Sequence, residues 1–202
     1  MIKGLINYIY FFILRQNRKQ VNQKLKTSLA FAKSLFVTGA ISETSREVEL
    51  AICKNIPQGQ DVVIVEYGMG HGNITKEILA NVSPNSKVYA FEVKEDFCEY
   101  VRNEIKDDRL IIVCDGAENV KDHVKENVHG VIASIPYSFF SKEKAQGIIQ
   151  DSHDLLVKGC YYNQVLYTKR NFKKFQAIFE DCKMTKVTHK IPSEFIFYCK
   201  KG

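Results

Sequence analysis

The feature that most constrains the fold is an apolar strand that runs into a glycine-rich turn. Residues 62–66 (VVIVE) begin with four β-branched apolar residues, which is typical of a strand covered on both faces. Gly68, Gly70 and Gly72 follow at every second position, and a helix is predicted over 73–82. A buried strand, a tight turn and a helix form one βα unit. Such units build parallel sheets with helices on both faces.

The same alternation continues along the chain. The remaining segments are predicted strands at 87–92, 110–114, 130–134 and 160–167, helices at 95–107, 141–157 and 172–179, and a closing hairpin of 184–189 and 194–199. Because a hairpin reverses the chain, the last strand is predicted to be antiparallel. The predicted fold class is α/β: a Rossmann-like, mostly parallel seven-stranded sheet with an antiparallel last strand and an N-terminal amphipathic helical extension.

Charge is distributed unevenly along the chain. Residues 1–42 contain seven Lys or Arg residues and no acid, residues 43–162 carry a net charge of −7, and residues 163–202 carry +6. An acidic centre between two basic ends predicts a polyanionic partner. That partner is either nucleic acid or an anionic membrane surface.

Residues 1–36 are predicted to be a basic amphipathic extension ahead of a main domain at 37–202. The apolar run 5–14 (LINYIYFFIL) is half the length of a membrane-spanning helix, which needs about 20 residues, and no signal-peptide cleavage site follows it. Between 21 and 36, apolar residues recur at three- and four-residue steps, so they share one helix face. The extension either lies in a membrane interface, which residues 5–14 favour, or packs on the domain and covers the acceptor site.

The cysteines predict a reducing environment. Six of them are scattered along the chain without a C-x-x-C pair or metal-ligand spacing, at positions 53, 98, 114, 160, 182 and 199. This pattern favours buried thiols in the cytosol over a disulfide framework, and it predicts no metal site.

The glycine turn predicts a nucleotide-type cofactor. Glycine lets the backbone approach a ligand without a β-carbon in the way. A dinucleotide fingerprint, G-x-G-x-x-G, would need glycine at position 73, which is Asn, and here Glu66 precedes the first glycine by two residues. A carboxylate at this strand end can instead meet the ammonium group of a cofactor.

Two further acids follow the next two predicted strands. Glu92 ends the second strand, where a carboxylate can accept hydrogen bonds from both ribose hydroxyls. Asp115 ends the third strand, where it can accept the adenine amino proton. Acids at the carboxyl ends of three consecutive strands line one crevice, and with Glu66 they favour S-adenosylmethionine over NAD.

With these motifs, the chain resembles class I methyltransferases, and more narrowly the bacterial phospholipid N-methyltransferases, which are themselves similar to the rRNA adenine dimethylases. The stretches that carry the resemblance are 36–45 (FVTGAISETS), 134–136 (SIP), 164–167 (QVLY) and 191–195 (IPSEF). The resemblance covers roughly residues 30–200. It implies that the stretch from Gly39 to Ser45 lies over the methionine end of the cofactor, above the glycine turn.

The predicted cofactor site combines these motifs, and it includes no metal. Its residues are Gly39, Ile41, Ser42, Ser45, Glu66, Tyr67, Gly68, Gly70, Gly72, Glu92, Val93, Asp115, Gly116, Ala117 and Ser134.

One departure from the rRNA enzymes concerns the acceptor. They carry Asn-Leu-Pro-Phe/Tyr after the fourth strand, and Ser134 stands at the Asn position here. A hydroxyl grips a planar amine less well than an amide does, so Ser134 suits an aliphatic amine. Tyr137 is the predicted catalytic residue, because its ring face would attract a cationic amine. Packing at the strand end is the alternative interpretation of Tyr137.

The sequence therefore predicts an S-adenosylmethionine-dependent N-methyltransferase. Its acceptor would be the amine headgroup of a phospholipid (phosphatidylethanolamine and its mono- and dimethyl derivatives) or of another amino lipid. The protein would be cytoplasmic and peripherally associated with the inner face of the membrane. The alternatives are an RNA adenine N6-methyltransferase, which the basic ends fit equally well, and a non-catalytic membrane-binding module with this fold. The oligomeric state is left open.

Overall fold

The computed structural model describes residues 44–169, 171–187 and 193–202. The strands in these ranges are β1 Val63–Tyr67, β2 Lys87–Phe91, β3 Leu110–Val113, β4 Val128–Ala133, β5 Leu156–Leu166, β6 Asp181–Lys186 and β7 Phe195–Lys200. The α-helices are α1 Arg46–Cys53, α2 Asn73–Asn81, α3 Glu95–Glu104, α4 Val120–His123, α5 Lys142–Leu155 and α6 Phe172–Gln176. Single 3-10 turns lie at Ala117–Asn119 and Tyr137–Phe139.

The strands form one seven-stranded sheet in the order β3-β2-β1-β4-β5-β7-β6. Strands β1 to β5 pair in parallel, and β7 is antiparallel to both β5 and β6. The predicted fold class, including the antiparallel last strand, is confirmed. The strand order reverses between β1 and β4, and this switch point is where open α/β sheets bind ligands, beyond the carboxyl ends of the strands.

The sheet is buried on both faces because its strands carry apolar residues at successive positions. In β1, Ile64 packs in one hydrophobic cluster with Ile132, while Val65 and Tyr67 pack in the other. Each of these side chains is at most 1% exposed. Helix α1, which the sequence analysis did not predict, contributes Ile52 to the first of these clusters. Burial of this kind stabilises the fold by about 1.5–3 kcal/mol per large side chain.

Among the strands, the boundaries differ from prediction mainly at β5 and β6, and the helices α3 and α6 each end three residues before their predicted ends at 107 and 179. Strand β5 begins four residues before the predicted start at 160, and its pairing with β4 shifts register between Val128 and Gly130. Strand β6 begins at Asp181 rather than at the predicted 184. It lies at the edge of the sheet, and its residues are mostly exposed. An exposed edge strand has little apolar alternation from which to predict its ends.

Several sequence predictions lie outside the described residues. These are the extension at 1–36, the domain boundary at 36/37 and the predicted site residues Gly39, Ile41 and Ser42. Within the described ranges, no helix is both long enough and apolar enough to cross a membrane.

The prediction of free thiols is wrong for one pair of cysteines. Cys98 in α3 and Cys114, directly after β3, form a disulfide whose Cα atoms are 6.2 Å apart. Cys53, Cys160, Cys182 and Cys199 are free. The pair was missed because the two cysteines are 16 residues apart and meet only when α3 packs beside β3.

Candidate active site

The carboxyl ends of β1, β2 and β4 are tied together by backbone hydrogen bonds at the switch point. The N–H groups of Gly68 and Met69 donate to the carbonyl oxygen of Phe91 at the end of β2, over 2.8 and 3.2 Å. The N–H of Ser134, directly after β4, donates to the carbonyl oxygen of Tyr67 at 2.8 Å. The glycine turn and the loop after β4 therefore lie side by side at the switch point, where the sequence analysis predicts the ligand crevice.

The three glycines of the turn are required for different reasons. All have left-handed backbones, with φ values of 77° at Gly68, 52° at Gly70 and 81° at Gly72. A β-carbon at Gly68 would lie 3.0 Å from a side-chain carbon of Ile135, and one at Gly72 would lie 2.9 Å from Ile105. At Gly70, a β-carbon would meet no atom of the described residues within 4 Å. Packing explains Gly68 and Gly72, whereas Gly70 leaves open space beside the backbone, as a bound ligand requires.

Glu66 is a buried carboxyl group that lacks a full set of partners. Its side chain is buried, with 1% of its surface exposed, and one oxygen accepts a hydrogen bond from the Thr75 hydroxyl at 2.6 Å. The other oxygen, Oε1, has no partner among the described residues. Burial raises the pKa of Glu66 to about 8, the Thr75 hydrogen bond opposes this rise, and the charge of Glu92 adds to it. An unpaired buried oxygen is costly, so this group fits a cationic ligand that donates to it.

Ser45 presents a second unpaired oxygen. It precedes α1, and its carbonyl oxygen accepts from the N–H groups of Val48 and Glu49 at 2.9 and 3.1 Å. Its hydroxyl does not cap the helix, and this oxygen is buried without a partner among the described residues. Ser45 closes the stretch that the sequence analysis placed over the methionine end of the cofactor. Its free hydroxyl therefore fits a binding role.

Glu92 fastens the glycine turn to the loop after β2. Its carboxylate accepts hydrogen bonds from the backbone N–H groups of Gly70, Val93 and Lys94, at 3.2, 2.9 and 3.0 Å. The predicted hydrogen bonds to ribose remain a prediction, and the structure adds this clamping role. Val93 is 73% exposed at the rim of the crevice.

Asp115 already has partners within its own loop. It accepts hydrogen bonds from the N–H of Gly116 at 2.7 Å, the Asn119 amide at 2.8 Å and the His123 ring at 2.9 Å. These bonds, that of His123 foremost, lower its pKa. Ala117 is buried at the start of the following turn. The predicted adenine contact remains a prediction, and Asp115 also holds the loop in shape.

Tyr137, the predicted catalytic residue, lies in the core. Its side chain is fully buried, and its hydroxyl lies 2.7 Å from that of Tyr162. Its ring packs edge-on against Phe140 and Phe175. This burial favours the alternative interpretation, packing at the strand end, and the 3-10 turn after Pro136 directs the ring into the core. The catalytic role of Tyr137 stays a prediction. Ser134, three residues earlier, is only partly buried at the crevice.

The cluster of Glu95, Cys98 and Cys114 beside the crevice was not predicted either. Each residue offers one ligand atom, and these atoms lie within 4.8 Å of one another. In the structure, the two sulfur atoms are bonded to each other instead.

Comparison with known proteins agrees with this architecture, although no family model matches the chain. The chain is 22% identical over 178 residues to an ornithine lipid N-methyltransferase of Singulisphaera acidiphila, across 84% of this chain and 92% of that protein. It is 28% identical over 86 residues to a ribosomal RNA small subunit methyltransferase A of Caldanaerobacter subterraneus, across 39% of this chain and 31% of that protein. The chain thus spans about a third of the latter relative.

A solved structure shows the same fold. The N-methyltransferase NodS from Bradyrhizobium japonicum, in complex with S-adenosyl-l-homocysteine, superposes with a TM-score of 0.65 at 7% identity, across 77% of this chain and 86% of that one. The seven-stranded sheet, the glycine turn and the curated relatives together define the chain as an S-adenosylmethionine-dependent methyltransferase with a class I, Rossmann-like fold.

Proposed function

We propose that this enzyme transfers methyl groups to the amine of a polar lipid headgroup, such as phosphatidylethanolamine and its mono- and dimethyl derivatives, or another amino lipid. The observation that carries the proposal is the extent of similarity to the two curated relatives. The similarity to the ornithine lipid enzyme extends over 92% of that protein, whereas the similarity to the ribosomal RNA enzyme is confined to 31% of its length. A lipid N-methyltransferase of the same size is thus a fuller counterpart of this chain.

The residues around the crevice fit the cofactor. Glu66 would accept a hydrogen bond from its ammonium group, and the Ser45 hydroxyl would bind at the same methionine end. Glu92 would bind the ribose hydroxyls while it clamps the turn at Gly70. Asp115 would bind the adenine amine. When bound, S-adenosylmethionine supplies an electrophilic methyl carbon on a positively charged sulfur.

The remaining task of the protein is to present a neutral amine in line with that methyl carbon. An alkylamine with a pKa near 10 is neutral in only about one molecule in 10³ at pH 7. The amine therefore loses a proton before its lone pair can attack. Ser134 lies at the crevice after β4, where its hydroxyl would accept a hydrogen bond from an acceptor N–H and orient the lone pair. Positioning of this kind accounts for a large part of the rate in such reactions.

The distribution of charge supports a membrane-bound substrate. The acid-free segment 1–42 carries +7 and includes the apolar run 5–14. Basic residues near an anionic surface contribute about 1 kcal/mol each to membrane binding. We therefore propose that the enzyme binds peripherally to the inner face of the membrane, which would bring the crevice to lipid headgroups.

The second candidate function is methylation of RNA adenine at N6. It is favoured by the similarity to ribosomal RNA methyltransferases and by the same basic ends, which would bind phosphates equally well. Ser134 argues against this candidate, because a hydroxyl holds a planar exocyclic amine by hydrogen bonding less well than an amide does.

One experiment tests both candidates. The full-length protein is incubated with S-adenosylmethionine labelled in its methyl group, together with either a total lipid extract or total RNA. We expect label in the lipid fraction, with thin-layer chromatography placing it on an amine headgroup. Label in RNA alone would replace the lipid proposal with the adenine one.

A further inference from the structure

A buried chain of hydrogen bonds connects β5 to the loop after β4. The side chain of Gln164 in β5 is fully buried, and its amide nitrogen donates to the carbonyl oxygen of Ile135 at 3.0 Å and to that of Val165 at 2.8 Å. Its amide oxygen accepts from the Tyr162 hydroxyl at 3.4 Å, and Tyr162 is bonded in turn to the Tyr137 hydroxyl. Two residues of the 134–137 loop, Ile135 and Tyr137, are therefore held from one strand.

This loop lies beside the glycine turn at the predicted crevice. The backbone N–H of Ser134 donates a hydrogen bond to Tyr67 at the end of β1. The Ile135 side chain packs against Gly68, where an added β-carbon would lie only 3.0 Å from it. A displacement of Ile135 would therefore move the loop relative to the glycine turn. Ser134 adjoins Ile135 in this loop, so the position of its side chain depends on where Ile135 is held.

The burial of the Gln164 amide among apolar side chains calls for an explanation. The neighbouring side chains on the same face of β5, Tyr162 and Leu166, belong to the hydrophobic core. An amide buried among apolar groups costs free energy unless its hydrogen bonds are made. Two of those of Gln164 are made within β5 itself, and the third is made to a loop that has left the sheet rather than to a neighbouring strand.

We propose that Gln164 is a positioning residue for methyl transfer. It fixes the 134–137 loop against the glycine turn and thereby sets where the acceptor nitrogen lies. The proposal rests on the proposed function for the identity of the acceptor, but not for the effect of Gln164 on the loop.

The chain provides a matched control at the adjacent position. Asn163 is also a buried amide, at 1% exposure, but its side chain lies on the opposite face of the sheet. Its nitrogen donates to the carbonyl oxygen of Ile52 in α1 at 2.7 Å. Gln164→Met and Asn163→Leu therefore each replace a buried amide by an apolar group of similar size, and only the first releases the loop.

The first measurement is hydrogen exchange, followed by mass spectrometry on peptides that contain residues 134–140 of the full-length variants. Gln164→Met should accelerate exchange in this loop at least about tenfold relative to the wild type, whereas Asn163→Leu should leave it unchanged. This comparison does not depend on which acceptor the enzyme uses. Equal exchange of the loop in both variants would overturn the proposal.

The second measurement separates binding from chemistry. Gln164→Met should lower kcat with the labelled lipid fraction about 10- to 100-fold, since a misplacement of about 1 Å costs rates of this order, while the Kd for S-adenosylmethionine changes less than threefold. Asn163→Leu should keep kcat within about threefold. A parallel loss of kcat in both variants would contradict positioning. If the wild type labels neither lipid nor RNA, the proposed function fails, and the hydrogen-exchange comparison still decides the role of Gln164.

The conservative variant Gln164→Glu provides a pH readout. While its carboxyl group is neutral, the O–H can donate to Ile135 as the amide does. When it ionises, it faces the carbonyl oxygen without a proton to donate. We expect kcat of Gln164→Glu to approach the wild type at about pH 6 and to fall further below it as the pH rises, while the Kd for S-adenosylmethionine changes less than threefold over the same range. A purely structural role would instead weaken cofactor binding together with kcat, because ionisation of a buried carboxyl group destabilises the whole fold. A constant ratio of the two kcat values across this range would contradict the proposal.

Discussion

Replacing Glu66 with Gln tests whether one buried carboxyl group has opposite effects on cofactor affinity and on the free energy of unfolding. In the wild type, one carboxyl oxygen accepts from Thr75 and the other has no partner among the described residues. A Gln side chain has nearly the same shape and can still accept from Thr75, but it carries no charge at any pH. The substitution therefore removes the proposed ligand of the ammonium group without emptying the space.

The pH dependence of stability is the first readout. The pKa of Glu66 is raised by burial from 4.5 to about 8. Because the folded-state value lies above the unfolded one, the ligand-free wild type loses stability as the pH rises through this interval. Each pH unit within it corresponds to at most about 1.4 kcal/mol. Glu66→Gln should therefore gain about 2–4 kcal/mol relative to the wild type between about pH 5 and about pH 8.5, measured by urea unfolding without ligand.

Cofactor affinity should move in the opposite direction. A hydrogen bond to a charged group contributes about 1.5–3 kcal/mol, so the Kd for S-adenosylmethionine should rise about 10- to 150-fold in Glu66→Gln. At pH 7 the wild type should also release protons on binding, because the ammonium group favours the ionised carboxylate. Calorimetry in buffers of different ionisation enthalpy measures this release.

Glu77, in the helix that follows β1, provides a matched control. Glu77 in α2 is also buried, but its oxygens are paired with Arg46 at 2.5 Å and Asn81 at 2.8 Å. Glu77→Gln should therefore lose stability and keep the wild-type affinity. Equal affinity and an equal pH dependence of stability in Glu66→Gln and the wild type would refute the role of Glu66 in ammonium binding.

Three further outcomes are expected. Gly70→Ala should weaken S-adenosylmethionine binding at least about tenfold in calorimetry. The control Gly159→Ala, at another left-handed glycine whose β-carbon would meet no described atom, should cost about 1 kcal/mol of stability in urea unfolding without affecting binding, and equal cofactor affinities of the two variants would place the ligand elsewhere. Glu92→Ala should raise the same Kd about 10- to 150-fold, and an unchanged value in calorimetry would exclude both the ribose contact and the clamp on the turn. Deleting residues 1–20 should abolish sedimentation with anionic vesicles while cofactor binding persists, and full-length protein that ignores vesicles at low salt but retains RNA would favour the adenine reaction.

The sequence was sufficient to predict the sheet because burial leaves a local signature. Strands β1 to β4 are short apolar runs, and each was predicted to within about two residues at either end. The exposed edge strand β6 lacks such a run, and its start was misplaced by three residues. Helix α1 was not predicted at all. Local hydrophobic periodicity therefore predicts the buried central strands better than the exposed edge strand and helix α1.

The candidate site was harder to predict, because side-chain direction depends on distant partners. Glu66 and Gly70 follow from their place after β1, and the structure gives both a reason to meet a ligand. Tyr137 was predicted to be catalytic, with packing as the alternative, and only the structure shows that its hydroxyl lies against that of Tyr162, 25 residues away, in the core. The disulfide between Cys98 and Cys114 depends on a helix packing beside a strand, which no spacing rule reveals.

The position of β7 has a consequence for the order in which the enzyme is assembled during synthesis. This strand follows β6 in the chain but lies between β5 and β6 in the sheet. Strands β1 to β4 can pair as soon as they leave the ribosome, whereas β6 has no neighbour to join until residues 195–200 have been made. Until then, one edge of β5 would be open to pairing with other chains. The strands that carry the glycine turn can thus be paired while one edge of β5 in a nascent chain is still uncovered.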